Sequence, residues 1–176
     1  QQPTEIRFGP GRLAELGQVA AELGKRALLV SGKPAGPLGA VLERARSSLQ
    51  DAGVSVAHFT GVVPNPTTDS VDAGAALARE FRADVVVGLG GGSSMDTAKA
   101  IAVGATHPGT AWDYLFFKKP PTAATLPVVA VTTTSGTGSH VTQVAVMTET
   151  RTHTKSAIFH PLVFPRVAIV DPDLAA

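Results

Sequence analysis

The fold is decided by the stretch Val85-Val86-Val87-Gly88-Leu89-Gly90-Gly91-Gly92-Ser93-Ser94-Met95-Asp96-Thr97-Ala98-Lys99. Its first part belongs to a strand predicted over residues 84–89, whose almost purely aliphatic character is typical of the centre of a parallel sheet. Three glycines follow, and a helix is predicted from Met95 to about Val103. A strand that leads through a tight turn into a helix is half of a βαβ unit, so the stretch predicts an α/β fold.

The glycine turn predicts a phosphate site. Glycine permits positive φ and has no Cβ, so a ligand can approach the backbone. The helix start adds unpaired N–H groups and the positive end of the helix dipole. Such a site suits a pyrophosphate, and we assign this contact to Gly91, Gly92 and Ser93. A tight turn without a ligand remains the alternative. The fingerprint G-x-G-x-x-G is not in its usual place after the first strand, and no Walker A loop is present, so spacing alone indicates only a phosphate compound.

Strands and helices alternate on both sides of this stretch. Further strands are predicted over residues 5–8, 27–30, 54–59, 126–131, 141–148 and 167–170. Apolar residues at helical spacing predict helices over residues 13–23 and 41–49, and Thr68 or Asp69 is expected to cap a third helix that runs to about Arg82. Residues 106–125 are predicted to be a loop, a lid or a partner contact. The alternation predicts an α/β fold with an open, mainly parallel Rossmann-like sheet and helices on both faces.

A second polar segment, Thr132–Ser139, directly follows the buried strand at residues 126–131. It holds six hydroxyl side chains and two glycines in eight residues. Open α/β sheets bind ligands at the carboxyl ends of their strands, where hydroxyl groups can hold phosphate and ribose oxygens. The alternative is a loop whose hydroxyls satisfy its own backbone. Two such segments in one sheet favour ligand binding.

Composition narrows the class of protein. The 176 residues suit one domain, predicted over residues 1–176, and carry a formal net charge of +1 with no basic run, so nucleic-acid binding is not indicated. No cysteine is present, which excludes disulfides and thiolate chemistry. No apolar run approaches the roughly 18 residues that span a bilayer, so no membrane partner is expected. The first residues lack signal-peptide character, and we expect a cytoplasmic protein.

The motifs together resemble the iron-dependent (group III) alcohol dehydrogenase family. The glycine turn matches the family pattern G-G-G-S-x-x-D-x-A-K through Asp96 and Lys99, and Thr132–Ser139 resembles T-T-x-G-T-G-S-E. Lys155 and the segment 167–174 resemble a lysine followed by A-I-x-D-P-x-L, and Asn65 lies in a proline-rich loop that the family often carries. The resemblance covers nearly the whole chain and rests on several motifs in the same order.

The resemblance implies a domain that binds NAD or NADP, followed in family members by a helical domain that holds a divalent metal, Fe²⁺ or Zn²⁺. That metal would polarise the oxygen of a small alcohol or carbonyl substrate during hydride transfer. The resemblance also implies a homodimer formed through an N-terminal strand. Members of the family are roughly twice as long as this chain. We expect the helical domain to be absent from it and assign no catalytic or metal-ligating residue, so the chain alone should bind nucleotide without oxidising alcohol.

The resemblance also implies roles for single residues. Asp96 is expected to fix the turn or the nicotinamide side, and Lys155 to approach the nicotinamide ribose or the substrate, although a first-turn acid and a surface lysine are the alternatives. Lys99 is assigned a structural role. The adenine, ribose or nicotinamide region is expected to be lined by Thr133, Thr134 and Thr137.

Two departures from the family pattern bear on function. His140 replaces the usual glutamate of the threonine motif, which leaves the role of that position open. Many NAD-using relatives have aspartate where Gly32 stands, and an acid there binds the adenosine ribose 2′-hydroxyl and repels a 2′-phosphate. With Gly32 that repulsion is gone, and Ser31 and Lys33 can bind the phosphate. We therefore expect NADP to be preferred to NAD; a plain turn with solvated Lys33 is the alternative.

Two other functions remain open at this point. A relative such as a glycerol dehydrogenase or a dehydroquinate synthase would share the glycine turn, although the threonine motif favours the alcohol dehydrogenases. A free-standing nucleotide-binding module that never catalyses is favoured by the chain length. Lys155 and the family-like segment at Asp171-Pro172 favour part of an enzyme.

Overall fold

A computed structural model describes residues 4–133 and 138–174, and within these ranges it has four α-helices and eight strands. In chain order these elements are β1 (Glu5–Phe8), α1 (Leu16–Leu23), β2 (Arg26–Val30), α2 (Pro37–Asp51), β3 (Ser55–Phe59), α3 (Thr68–Phe81), β4 (Val85–Gly90), α4 (Gly92–Gly104), β5 (Val128–Thr132), β6 (Val144–Thr148), β7 (Lys155–Phe159) and β8 (Val167–Val170).

The central sheet has six strands in the order β1-β8-β5-β4-β2-β3, and every neighbouring pair is parallel. From β2 the chain moves to β3 at one edge, then crosses back to β4 on the other side of β2. The direction in which the sheet grows therefore reverses between β2 and β4. This reversal is the topological switch point at which doubly wound sheets bind ligands.

Helices cover both faces of the sheet, as the sequence predicts. Alternate strand residues such as Leu29 and Val87 pack with α1 and α2 in one apolar cluster. Their neighbours Leu28 and Val86 pack with α3 and α4 in another. Strands buried on both faces explain the continuous valine and leucine runs, since neither face meets water.

Helix α4 lies unusually close to β4. A Cβ atom built at Gly88 would stand 2.8 Å from the Cβ of Ala98, closer than side chains pack. Glycine on the strand and alanine on the helix therefore permit this approach, and α4 is buried along nearly its whole length. The helix start is consequently held against the carboxyl end of β4.

Two predicted boundaries need correction. The side chain of Thr67, and not that of Thr68 or Asp69, caps α3 by accepting a hydrogen bond from Ser70 N at 3.1 Å. Thr67 has the extended backbone that an N-cap needs, whereas Thr68 is already helical. Helix α4 begins at Gly92 and not at Met95, because the glycine turn itself forms the first helical turn.

Two segments hold more structure than the sequence predicts. Residues 106–125 are not purely a loop, since they include a 3-10 helix at Ala111–Phe117. His107 is buried next to it, where its Nδ1 bonds to Val103 O and its Nε2 accepts from Thr122 N. The strand predicted over residues 141–148 is shorter, and it pairs with the unpredicted β7 in a separate antiparallel hairpin. Within the described ranges, the helices are too short or too polar to cross a bilayer.

Candidate functional site

A cleft of about 440 Å³ opens at the switch point, between the carboxyl ends of β2 and β4. Four of the predicted cofactor-binding residues line it, namely Gly32, Gly91, Ser93 and Thr133. Apolar side chains complete the walls, and they come from the start of α2, from the segment after β3 and from the end of the chain: Pro37, Leu38, Val41, Val62, Val63, Pro64 and Leu174. The structure therefore brings residues from distant parts of the sequence around one elongated space.

The glycine turn forms one wall of this cleft. Gly90 has φ of +142°, a conformation that side-chain-bearing residues rarely adopt. Gly91 is extended and precedes the first turn of α4, and no side chain among the described residues caps this helix. Gly92 is the first residue of α4. Backbone N–H groups at the helix start are therefore available to an anion, as the sequence predicts.

The threonine segment begins beside this turn. Thr133 N donates to Gly90 O at 2.9 Å, which joins the segment to the end of β4. Thr133 also lines the cleft. Thr134 and Thr137 lie outside the described residues, so their predicted contacts with cofactor stay predictions.

A smaller cavity of about 190 Å³ holds the other predicted residues on this side. Asn65, Asp96 and Lys155 line it together with Ser93, which faces both cavities. Asn65 has a left-handed backbone with φ of +54° in its proline-flanked loop. Because Ser93 belongs to both, the two cavities form neighbouring compartments at the start of α4.

Asp96 joins α4 to the segment that follows the threonine loop. Its carboxylate accepts hydrogen bonds from Ser139 Oγ at 2.6 Å and from Val146 N at 3.2 Å. Burial raises the pKa of Asp96, and the Ser139 hydrogen bond and the cation of Lys99 oppose this shift. Asp96 thus joins α4 to Ser139 and to the middle of β6, and its predicted role in fixing the turn or the nicotinamide side stays a prediction.

Lys99 is a charged residue of α4 for which the sequence predicts only a structural role. The side chain is fully buried, and Nζ donates to Ser139 Oγ, Thr142 Oγ1 and Val144 O at 3.0–3.2 Å. Burial lowers its pKa to about 8, although Asp96 opposes this shift. The ammonium group therefore ties three points of the segment 139–144 to α4.

The three predicted residues of the loop after β2 lie in different environments. Gly32 lines the cleft, and a Cβ atom there would meet nothing within 4 Å. Ser31 is fully buried, and its hydroxyl donates to Gly32 O at 2.7 Å. Lys33 is exposed and, like Ser31, does not line the cleft. Direct contacts of Ser31 and Lys33 with a phosphate therefore stay predictions.

Sequence reasoning missed two parts of this edge of the sheet. It missed the apolar wall from α2, although Pro37, Leu38 and Val41 fit the start of an amphipathic helix. It also missed His58, which lies in β3 and bonds through Nε2 to Ser31 Oγ at 2.7 Å. A histidine in an otherwise apolar strand was the only available signal.

The described residues do not fit a metal centre. No group of three histidine, aspartate or glutamate side chains within residues 4–133 and 138–174 is gathered in a way that could hold an ion. A larger cavity of about 590 Å³ lies between α1 and α2 and contains none of the predicted site residues. The predicted site residues that line a cavity are therefore those at the switch point.

A parallel doubly wound sheet with a glycine turn at its switch point defines a nucleotide-binding domain of the Rossmann-like class. Comparison with known proteins agrees. The profile of the family "iron-containing alcohol dehydrogenase" matches residues 3–172. The chain belongs to the iron-containing alcohol dehydrogenase family and covers its nucleotide-binding domain.

Relatives support this assignment along the whole chain. The chain is 39% identical over 174 residues to a choline dehydrogenase of Bacillus subtilis, covering 98% of this chain and 43% of that protein. It is 33% identical over 172 residues to the NADH-dependent butanol dehydrogenase A of Clostridium acetobutylicum, covering 97% of this chain and 43% of the relative. An archaeal halo-thermophilic alcohol dehydrogenase from a Red Sea brine pool superposes with a TM-score of 0.95 at 43% identity, covering 99% of this chain and 46% of that one. The chain therefore spans less than half the length of these relatives.

Proposed function

We propose that the cleft binds a nicotinamide dinucleotide and that the chain is the cofactor-binding domain of a metal-dependent alcohol dehydrogenase. The observation that carries this proposal is the uncapped start of α4, which opens at the switch point beside Gly90 and Thr133. The whole protein would transfer hydride between the nicotinamide and a small alcohol, aldehyde or ketone. The names of its relatives, which include an NADH-dependent butanol dehydrogenase, support this reaction class.

The two cavities suggest how the cofactor lies. With the pyrophosphate at Gly91, Gly92 and Ser93, the 440 Å³ cleft extends toward Gly32 and offers apolar walls to the adenosine. The 190 Å³ cavity extends the other way and offers the polar groups of Asn65, Asp96 and Lys155 to the nicotinamide side. In this arrangement Ser93 contacts the middle of the cofactor.

The residues of this chain bind and orient the cofactor, and the nicotinamide ring supplies the hydride chemistry when it is bound. Helix α4 provides positive partial charge to the pyrophosphate, and Lys155, which is exposed at the cavity, adds a cation. Within residues 4–133 and 138–174, no group of side chains is gathered in a way that could hold a metal ion. We accordingly expect nucleotide binding but no alcohol oxidation by this chain alone.

Calorimetric titration of the chain with NADP and with NAD tests the proposal. We expect saturable binding of at least one cofactor, and loss of that binding in a Gly91→Asp variant, whose carboxylate would repel the pyrophosphate at the helix start. Ser47→Asp is a suitable control, because it adds the same charge at an exposed position of α2 that faces the cavity between α1 and α2 and not the cleft. Failure of the wild-type chain to bind either cofactor would refute the proposal.

The same titration measures the cofactor preference. Gly32 leaves space beside the adenosine ribose and introduces no negative charge, so we expect NADP to bind more tightly than NAD. The relatives do not favour this expectation, since the name of one of them specifies NADH. Clearly tighter binding of NAD would show that the absence of an acidic side chain at position 32 is not enough to make the chain prefer NADP.

We also propose that two copies of the protein associate through β1. This strand forms one edge of the sheet, and its Ile6 and Phe8 are 52% and 65% exposed. An exposed apolar edge strand is a favourable surface for pairing with a second chain. Sedimentation should give a dimer for the wild-type chain and a monomer for an Ile6→Ser/Phe8→Ser variant. Leu162→Ser, which removes an exposed apolar side chain elsewhere, should stay dimeric; a monomeric wild type would exclude this interface for the chain.

A further inference from the structure

A buried polar cluster links α4 to the segment that leads into β6. Lys99 Nζ donates to Ser139 Oγ at 3.2 Å, and Ser139 Oγ donates to Asp96 Oδ1 at 2.6 Å. Lys99 and Ser139 are both buried, and neither lines the smaller cavity of about 190 Å³, whereas Asp96 does. Two consecutive hydrogen bonds therefore connect a buried ammonium group to a carboxylate at the wall of this cavity.

The ammonium group determines the direction of this link. A protonated lysine can only donate, so Ser139 Oγ accepts from Lys99. The hydroxyl proton of Ser139 is then directed to Asp96, and the distance of 2.6 Å is typical of a hydroxyl that donates to a carboxylate. Asp96 is therefore held as a hydrogen-bond acceptor.

Asp96 keeps acceptor capacity for a ligand. Oδ1 accepts from Ser139 and Oδ2 accepts from Val146 N at 3.2 Å, whereas an ionised carboxylate has about four acceptor sites. Burial raises the pKa of Asp96, and the Ser139 hydrogen bond and the charge of Lys99 lower it. Both residues thus favour the anion, which can accept further hydrogen bonds in the cavity.

Two other hydrogen bonds hold Lys99 in place independently of this link. Nζ donates to Thr142 Oγ1 at 3.2 Å and to Val144 O at 3.0 Å. Because these bonds remain when the Ser139 hydroxyl is removed, the influence of Lys99 on Asp96 can be separated from its anchoring of the segment 139–144.

The cluster acts on one side of the proposed cofactor only. Asp96 lines the smaller cavity, which is proposed for the nicotinamide side, and not the 440 Å³ cleft, which is proposed for the adenosine. The two cavities meet at Ser93, where the pyrophosphate is proposed to lie. A nucleotide that ends at the pyrophosphate would therefore not reach Asp96, whereas a complete dinucleotide would.

We propose that Lys99 and Ser139 are positioning residues for the nicotinamide side of the cofactor, because they hold the Asp96 carboxylate as an acceptor for its hydroxyl or amide N–H donors. The proposal rests on the proposed binding of a nicotinamide dinucleotide in the two cavities. It gives Lys99 and Ser139 an effect on ligand affinity that is distinct from their support of the fold.

Titration of the chain with NAD and with ADP separates the two sides. ADP is NAD without the nicotinamide riboside, so it reports on the cleft and the glycine turn alone. In Ser139→Ala we expect the affinity for NAD to fall about ten-fold, as for the loss of a hydrogen bond between charged groups, and the affinity for ADP to change less than about two-fold. Lys99→Met should lower the NAD-to-ADP affinity ratio in the same direction.

A double-variant cycle tests whether Lys99 acts through Ser139. Lys99→Met should lower the ratio by less when Ser139 is already alanine, because the link is then broken. Ser48→Ala is the matched control, since its hydroxyl also makes two hydrogen bonds, to Ala14 O at 3.1 Å and from Gly17 N at 2.9 Å, and it lines neither of the two cavities. This control should leave the ratio unchanged.

The outcomes distinguish this proposal from the one on which it rests. A wild-type chain that binds no nicotinamide nucleotide overturns the binding site and this proposal together. A wild-type chain that binds NAD, with a NAD-to-ADP ratio unchanged in Ser139→Ala and Lys99→Met, overturns only the positioning role. Equal losses of affinity for NAD and ADP also overturn it, since the two residues would then only support the fold. Fully additive effects of the two substitutions would overturn the link through Ser139.

Discussion

A Gly90→Ala variant is expected to lose about 2 kcal/mol of its free energy of unfolding and most of its nucleotide affinity. The backbone of Gly90 has φ of +142°, where a Cβ is strongly disfavoured. The added Cβ would also stand 2.5 Å from Ser94 Oγ and 3.1 Å from Ser94 Cβ. Rotation of Ser94 about χ1 can relieve the Oγ contact, but the Cβ contact and the disfavoured φ are relieved only by movement of the end of β4 or of the first turn of α4.

Both movements displace groups that are proposed to hold the cofactor. Gly90 O accepts from Thr133 N, and Ser94 lies in the helical turn that starts at Gly92. A shift of only about 0.5 Å is enough to spoil a preorganised site, so we expect binding at least about ten-fold weaker by calorimetry. Unfolding in urea would measure the loss of stability in the same preparation.

Gly39→Ala is the matched control for this substitution. Gly39 lies in α2, its φ is not positive, and a Cβ there meets nothing within 4 Å. Alanine is favoured over glycine inside a helix, so the control should gain up to about 1 kcal/mol and bind normally. Unaltered binding by Gly90→Ala would mean that the turn adapts freely, which would remove the main support for a preorganised phosphate site.

The sequence predicts the central sheet well, because the relevant signals are local. The aliphatic run at β4 and the glycines after it are visible without any knowledge of tertiary structure. The hairpin of β6 and β7 is predicted only in part. Its second strand begins at Lys155 and carries exposed residues at both ends, so no apolar run marks it. Its pairing with β6 depends on a turn in which Glu149 accepts a hydrogen bond from Thr152 N.

The candidate site can be predicted from the sequence where the role of a residue depends on its local position, directly after a strand. Gly32, Gly91, Ser93 and Thr133 follow strands of one parallel sheet, and the structure brings all four to the same cleft. The sequence assigns Lys99 only a general structural role, because its burial and its hydrogen-bond partners depend on a segment distant in sequence. Lys99 meets residues 139–144, about forty positions later in the chain. The sequence around Lys99 does not differ from that around an exposed lysine of a helix.

A Lys99→Met variant should be less stable than the wild type, and the difference should increase with pH. At pH 7 we expect a loss of about 2 kcal/mol, because Val144 O and Thr142 Oγ1 lose their donor and Asp96 loses a neighbouring cation. The pKa of Lys99 is about 8 in the folded chain, whereas an unfolded lysine has a pKa of about 10.4.

The sign of the pH dependence follows from these two pKa values. Between about pH 8 and pH 10.4 the unfolded chain binds the proton of Lys99 more tightly than the folded chain, so wild-type stability rises with pH relative to the variant. Below pH 8 both states hold the proton, and the difference between the proteins should be constant. Across the window the relative gain approaches about 3 kcal/mol.

Urea unfolding of both proteins at several pH values between 7 and about 10.4 measures this difference directly, since other titrating groups contribute equally to both. Lys25→Met, which removes an exposed lysine, should give a curve parallel to that of the wild type. If the Lys99→Met curve is also parallel, Lys99 is protonated equally in the folded and unfolded states. Its ammonium group would then lie in a water-accessible environment, and the segment 139–144 would need another anchor to hold the cofactor cavity in place.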